Sequence, residues 1–337
     1  MPPANEVKNR KLRILAFGPA KVKKTWWAVK AADAGFNVLL LDGDDGSQIL
    51  TQVAKESLER IHVINIVDKQ EMPVMCHFLT RFLKGDPFMW EEEDKTILLR
   101  AASAKQDCSY YIFDPSKLTT NDVVIIDSWS ALCWSLAWRW YRENNVKVDD
   151  ADQAKTSQWN GYRWSGAMAS WMLKQIKTLN CHVIVIGHQS VYEKRHDEVI
   201  GGKIKQVVEW SRTQAKSISG PHGLELAKEF SEVLFFSVNG SRFSIDSKSY
   251  KDRDGGCRVI PPKIWNWDEL QFGDIIKMAG ITPANPETIL DAAHWYPSGT
   301  DLPEGKVITQ GNEGKPLEAK EVKPSAFAGL LKPNGGK

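Results

Sequence analysis

The residues with the clearest chemical meaning form the segment GPAKVKKT, Gly18 to Thr25, set between an apolar run and a helical one. A lysine followed by a hydroxyl residue where a strand gives way to a helix suits a phosphate. The helix dipole and free backbone N–H groups face the anion, the lysine reaches its β- and γ-oxygens, and the hydroxyl holds Mg²⁺. Gly18, Lys24 and Thr25 match the pattern G-x-x-x-x-G-K-[ST], but Lys23 stands where the second glycine belongs. That glycine lets the backbone wrap closely around phosphates, and a side chain there crowds the wrap. Lys23 also adds positive charge, so it joins Gly18, Lys24 and Thr25 as a candidate contact to a bound ATP. The plainer alternative is a basic strand-to-helix turn.

Three further clusters belong to the same chemistry. The run VVIID ends in Asp127 and Ser128, the place for a carboxylate that orients Mg²⁺, with Thr25 as the other metal-facing group. The segment LLLDGDDG crowds Asp42, Asp44 and Asp45 at another strand end; Asp44 is the leading candidate for the base that polarises an attacking water. An acidic turn held by Gly43 and Gly46 is the alternative. In HVIVIGHQS, His188 and Gln189 close a strand and can sense a γ-phosphate, or simply end the strand in polar groups.

The elements that must hold these residues are legible as runs. LRILAF, NVLLLD, IHVINI, DVVIIDS and HVIVIGH are uninterrupted apolar stretches of strand length, as strands covered on both faces are. Helical segments separate them: TWWAVKAADAG, PVMCHFLTRFL, and a long one from about residue 158 to 179. The pattern predicts an α/β fold with a mainly parallel sheet. Residues 1–11 read as a flexible arm, 12–281 as the core, 190–222 as a mobile loop with or without a short helix, and 282–296 as a further helix. Asn239-Gly240 marks a hairpin between EVLFFSVN and SRFSIDS. Residues 297–337, rich in Pro, Gly and Lys, read as a disordered tail with one apolar island around Phe327 that could dock on a partner.

Composition sets the outer limits. The chain has 337 residues, 44 Lys+Arg against 42 Asp+Glu, and 42% hydrophobic residues, a balance that argues against disorder and against a disulfide-stapled miniprotein. A net charge of +2 gives no overall field for nucleic acid, so such binding must rest on local patches. Five unpaired-looking cysteines, the absence of a long apolar run and a basic start without a leader-like stretch fit a cytoplasmic protein with no membrane contact.

The order of these elements resembles the RecA/RadA-type P-loop ATPases, and in particular the compact phage ATPases that act as single-strand annealing or recombination proteins. The resemblance runs from about Leu12 to Ile281: phosphate loop, a D-x-D where the family has D-x-E, the VVIIDS strand, a tryptophan-bearing helix, VIVIGHQ, EVLFF, and an R-x-x-P-P stretch from Arg258 to Pro262. It implies a RecA-like core that binds ATP and Mg²⁺, forms a ring or filament of identical subunits on single-stranded DNA, and promotes annealing or strand exchange. A single-strand binding protein as partner and a host cytoplasm as location go with it. A neighbouring subunit would bring a cation to the γ-phosphate, with Lys248, Lys251, Arg253 and Arg258 as candidates beside a reading as a solvated hairpin. The loop after the sensor strand, with Lys194, Arg195, Lys203, Lys205, Arg212 and Lys216, would contact DNA. A ring helicase and a non-hydrolysing nucleotide-binding scaffold marked by Lys23 are the rival readings, and Asp44, shorter than the family's glutamate, bears on the rate. Trp129, Trp134, Trp138 and Trp140 suit packing or a subunit interface better than base stacking.

Overall fold

The computed structural model describes residues 10–44, 46–66, 68, 73–91, 97–101, 108–146, 151–200, 203–218, 222, 225–297 and 309–310. The first half of the chain runs β1 Arg13–Gly18, α1 Lys24–Val29, β2 Asn37–Asp42, α2 Lys55–Leu58, β3 Ile61–Ile66, α3 Val74–Lys84, β4 Phe88–Glu91, β5 Ile97–Ala101, β6 Cys108–Phe113, β7 Asp122–Asp127 and α4 Trp129–Glu143. The second half runs α5 Ala151–Thr178, β8 His182–Ile200, β9 Lys203–Ala215, β10 Glu232–Asn239, β11 Arg242–Asp246, β12 Gly256–Cys257, β13 Ile264–Asn266, α6 Phe272–Met278, β14 Ala293–Pro297 and β15 Thr309–Gln310.

The large sheet has the order β13-β11-β10-β1-β8-β7-β2-β3-β5, with β9 on β8 and β12 on β10. Its centre, from β10 to β3, is parallel, and antiparallel strands close both edges. The uninterrupted apolar runs follow from two buried faces. Leu15, Phe17, Leu39, Leu41, Val124 and Ile126 pack on one side against α3, α4 and α5. The intervening Ile14, Ala16, Val38, Leu40, Val123 and Ile125 pack on the other against α1 and α6. Alternate residues of a strand point to opposite faces, so each run must be apolar throughout. The chain leaves β1 toward β2 on one side and returns through β8 to β10 on the other. Open α/β sheets bind ligands at such a reversal, at the carboxyl ends of the strands. A smaller sheet, β14-β6-β4-β15, is not hydrogen-bonded to it but shares its core through Phe88, Phe113 and Ala293.

Three expectations from the sequence are corrected. Residues 190–200 and 203–215 form a two-stranded antiparallel ribbon, β8 with β9, bulged between Lys194 and Arg195. Val191 and Tyr192 on β8 and Val207, Val208 and Trp210 on β9 supply β-favouring side chains among the charges, and residues 201–202 are both glycine, so cross-strand pairing outweighs the loop-like composition. Residues 282–292 form no helix, and 293–297 pair as β14 with β6. Burial of Leu290, Ala292 and Ala293 against the main core overrides their local helical tendency. The turn between β10 and β11 comprises residues 240 and 241, because Asn239 pairs with Arg242. Gly240 there has φ +61°. The expected arm through residue 9, Gly201-Gly202 and most of the tail, Phe327 included, lie outside the described residues. Cys76, Cys133, Cys181 and Cys257 are free thiols. Among the described residues, no helix is long and apolar enough to cross a membrane.

Buried histidines make the fold sensitive to pH, and His182 shows how. His182 opens β8 fully buried, and its Nδ1 accepts the Leu12 N–H at 3.0 Å, which requires the neutral ring. Burial, with Arg13 nearby, pulls its pKa down to about 4. A histidine whose folded pKa is depressed contributes stability above its unfolded pKa and loses it as pH falls. Between pH 6.5 and pH 5 the loss is about 2 kcal/mol for one such group. Thermal unfolding at pH 7 and pH 5 is expected to show this drop, and His182→Gln is expected to reduce it by that one group's share while His62 and His77, also held low by burial, keep the rest.

Candidate functional site

The carboxyl ends of four parallel strands meet at one place. Gly18 on β1 is level with His188 on β8, and Asp42 on β2 is level with Asp127 on β7. Gly18 turns the chain out of β1 with φ +154°, and a Cβ there would lie 2.1 Å from the Phe236 carbonyl oxygen. Both the backbone angle and that close approach require glycine. The loop then bends through left-handed Lys21 (φ +61°) and Lys23 (φ +63°) into α1.

Lys24, 6% exposed, curls back over the loop, its Nζ donating to the carbonyls of Gly18 at 3.2 Å and Pro19 at 2.5 Å. Burial lowers its pKa to about 8, against the opposing pull of Asp127 and Asp44. The Thr25 hydroxyl donates to Asp127 Oδ2 at 2.5 Å. Asp127 is buried, and desolvation pushes its carboxyl up to about 7; Thr25 opposes this, whereas the negative Asp42 and Asp44 add to it. A hydroxyl and a carboxylate side by side suit a hard cation that takes its remaining oxygens from water and phosphate, as Mg²⁺ does. Among the described residues, no three His, Cys, Asp or Glu side chains are grouped to hold a metal by themselves. The residues present therefore fit Mg²⁺ bound together with a phosphate, with Thr25 and Asp127 as its protein contacts.

The acidic segment divides its roles. Asp42, fully buried, accepts the backbone N–H groups of Asp44 at 3.3 Å and Gly46 at 2.9 Å, so it braces the turn. Gly46 backs onto the metal-facing pair, since a Cβ there would lie 3.3 Å from both Thr25 Oγ1 and Asp127 Oδ2. Asp44 reaches His188, Oδ2 to Nε2 at 3.0 Å. Partial burial raises the Asp44 pKa, but hydrogen bonds with His188 and Ser128 outweigh it and hold the carboxyl below its usual range. Asp45 lies outside the described residues. His188 is a junction: its N–H donates to Ser130 Oγ at 3.2 Å, and its carbonyl accepts the Lys216 N–H at 2.6 Å. Gln189 is the next residue of the strand, exposed and on its opposite side. The Asp127–Ser128 peptide is cis.

Other candidates are engaged elsewhere. The Lys23 ammonium, expected at the phosphates, lies over the rings of Phe243, Trp267 and Trp26 at 4.4, 4.8 and 5.6 Å. Arg253, expected to serve a neighbouring subunit, is paired with Asp246 at 2.5 Å and stacked on Phe235 and Tyr250. Withdrawing Arg253 would leave buried Asp246 with an uncompensated charge, which is costly, so the guanidinium is held within its own chain. Lys248 is half-buried, and Lys251 and Arg258 are exposed. Arg258 follows β12, which pairs with the start of β10, level with Ile14 near the beginning of β1 and far along the strand from Gly18.

On the ribbon, Lys194 pairs with Glu209 at 2.9 Å and Arg195 with Glu193 at 2.5 Å, and all four side chains are a third exposed or more. Such pairs are weak and exchange readily for other anions. Arg212 pairs at 2.7 Å with Asp254, whose side chain is only 2% exposed, so it anchors the ribbon's base and is poorly placed to leave for DNA. Lys203 and Lys205 lie on β9; their side chains are outside the description. The tryptophans of α4 divide: Trp129 is buried and donates to Ser217 Oγ at 3.1 Å, whereas Trp134 is 53% exposed beside Lys216. Ser130, which accepts the His188 N–H, carried no sequence signal, whereas Ser128 and Gly46 were visible only as a strand end and part of an acidic turn. The doublet Trp26-Trp27 beside Lys23 was the visible trace of the aromatic cage.

Residues 10–261 match a family model described as an AAA domain, well over half of the 337-residue chain. No curated protein matches the sequence.

Proposed function

We propose that this chain, which belongs to the AAA domain family, binds ATP with Mg²⁺ at the Gly18–Thr25 loop and uses the bound nucleotide to control a hold on single-stranded DNA. Its mixed α/β architecture with a large, mostly parallel sheet fits a P-loop NTPase core, and domains of this family generally use ATP and Mg²⁺. The DNA step and its outcome, annealing or strand exchange by a RecA-like assembly of identical subunits, are our reading. One observation carries it. β8 is a single strand that starts in the core at His182, passes the site at His188 and continues to Ile200 at the far end of the exposed ribbon.

In this reading Lys24 exchanges the loop carbonyls for phosphate oxygens, and Thr25 and Asp127 turn toward the cation. Thr25 and Asp127 would hold Mg²⁺, which would neutralise negative charge on the phosphates. Asp44, kept ionised by its partners, orients water and takes its proton; His188 fixes the Asp44 carboxylate and passes its position along β8. The ribbon offers the mixture that unpaired bases favour, Tyr192 against Trp210 at 5.5 Å with cations interleaved. Lys194 and Arg195 are the cations best placed to meet phosphates, joined by Lys203, Lys205 and Lys216, with Gln189 at the ribbon's root. In an assembly, Lys248, Lys251 and Arg258 remain the cations available to a neighbour's nucleotide. A single-strand binding protein is a natural partner for such an activity.

Turnover of ATP with and without single-stranded DNA, measured beside DNA binding with and without ATP, tests the proposal. Nucleotide-dependent DNA binding with stimulated turnover is expected. Stimulated turnover with directional unwinding of a duplex would favour a helicase, and bound ATP without turnover a scaffold. No binding to single-stranded DNA at low salt, with or without ATP, would overturn the DNA half of the reading.

A further inference from the structure

Lys23 occupies a backbone position built for glycine. It is the N-cap of α1 with φ +63° and ψ +22°, it has no side-chain capping bond, and its carbonyl accepts the Trp27 N–H at 2.9 Å. A residue with a Cβ is disfavoured in this left-handed conformation, so contacts that favour it bear directly on the loop's shape. The side chain makes such contacts. Its ammonium sits over three aromatic rings from three separate parts of the chain: Trp26 on α1, Phe243 on β11, and Trp267 just after β13. Trp26 and Trp267 meet edge to face at 4.4 Å, and Lys30 covers the outer part of the pair, 4.1 Å from the Trp26 centroid. The neighbouring Trp27 indole N–H donates to the Leu270 carbonyl at 2.6 Å, a second tie between α1 and the segment leading to α6.

We infer that Lys23 is a positioning residue, whose ammonium, gripped by the Trp26–Phe243–Trp267 cage, holds the phosphate loop in the left-handed bend that glycine would supply unaided. The positive charge at the loop's tightest turn thus acts through aromatic faces of the C-terminal hairpin region. A cation over an aromatic face is attracted by the ring quadrupole, and three rings converging on one ammonium make the attraction specific to a cation at that point. The loop's shape is thereby tied to β11 and to the approach to α6.

The inference rests on the reading of this loop as a nucleotide site, and three variants separate the two. Lys23→Ala keeps the Cβ that opposes the bend and loses the cage. Lys23→Gly loses the cage but takes the bend freely. Lys23→Arg keeps a cation that stacks on rings. Thermal midpoints without nucleotide are expected to be lowest for the alanine variant, because alanine at positive φ is strained whereas glycine is not. In calorimetric titrations with Mg·ATP, the arginine and glycine variants should bind within about threefold of the unaltered protein and the alanine variant at least about fivefold more weakly, since its loop spends less time in the competent shape. A phosphate contact predicts something else: glycine and alanine, both lacking the charge, would weaken binding by the same factor. That result, or an alanine variant that unfolds at the same temperature as the unaltered protein, would overturn the inference. If the unaltered protein itself took up no ATP, the reading of the site would fail, and the ranking of midpoints would still decide whether the cage holds the loop.

Discussion

Lys24→Ala is expected to weaken Mg·ATP binding by at least about a hundredfold, because the ammonium's charge-assisted hydrogen bonds to phosphate contribute about 1.5–3 kcal/mol each and the side chain reaches more than one oxygen. The geometry makes Lys24 the main source of this effect. It is nearly buried, and it rests on the Gly18 and Pro19 carbonyls at the mouth of the loop. Its depressed pKa, about 8 and caused first by burial, shows that holding the charge there costs stability until an anion arrives. The variant should therefore be at least as stable as the unaltered chain without nucleotide, and this separates lost binding from lost folding. Lys24→Arg should not restore affinity, since a planar fork cannot replace a compact ammonium in so enclosed a place. Calorimetry and thermal unfolding on the same samples check both halves, and unchanged affinity in Lys24→Ala would remove the loop from the mechanism.

Replacing Tyr192 and Trp210 together by alanine is expected to weaken single-stranded DNA binding by about ten- to a hundredfold, at about 1–3 kcal/mol for each stacked base. These rings face each other across β8 and β9 beyond the core, with Val191 60% and Val208 44% exposed nearby. Nothing in the two apolar cores depends on them, so nucleotide uptake and the unfolding temperature should stay as they were. Lys194→Ala should behave differently. It removes one exposed cation, so binding should fall modestly and the salt dependence of the affinity should flatten by about one phosphate contact. Fluorescence anisotropy of a labelled oligonucleotide over a salt series distinguishes the two, and identical affinity for the double variant would exclude the ribbon as the stacking surface.

The parts of this architecture visible in the sequence are those governed by local pattern. The five apolar runs mark strands because both sheet faces are buried, and GPAKVKKT falls between β1 and α1 because a phosphate-type turn depends on residues within one segment. Asp127 was legible as a candidate because it ends such a run, and Asp44 because it follows one, two residues past Asp42. The hidden parts depend on partners far along the chain. Lys23 meets Phe243 and Trp267, Arg253 is taken by Asp246, and Arg212 is held by Asp254. The stretch ending in His294 and Trp295 has helical composition, yet it pairs with Ile112 and Tyr111, far back in the sequence. The ribbon misled for a different reason. Its charges suggest a solvated loop, and only the scattered β-branched and aromatic residues on either side of two glycines signal paired strands.

The claim on which the rest depends is that the bend between β1 and α1 receives a nucleotide's phosphates while Thr25 and Asp127 face its metal. Isothermal titration of the full chain with ATP, in the presence and absence of Mg²⁺, tests it most directly. Saturable uptake of one ATP per chain, tightened by Mg²⁺ and lost in Lys24→Ala, is the predicted result. Absence of uptake at millimolar ATP with Mg²⁺ present would contradict it.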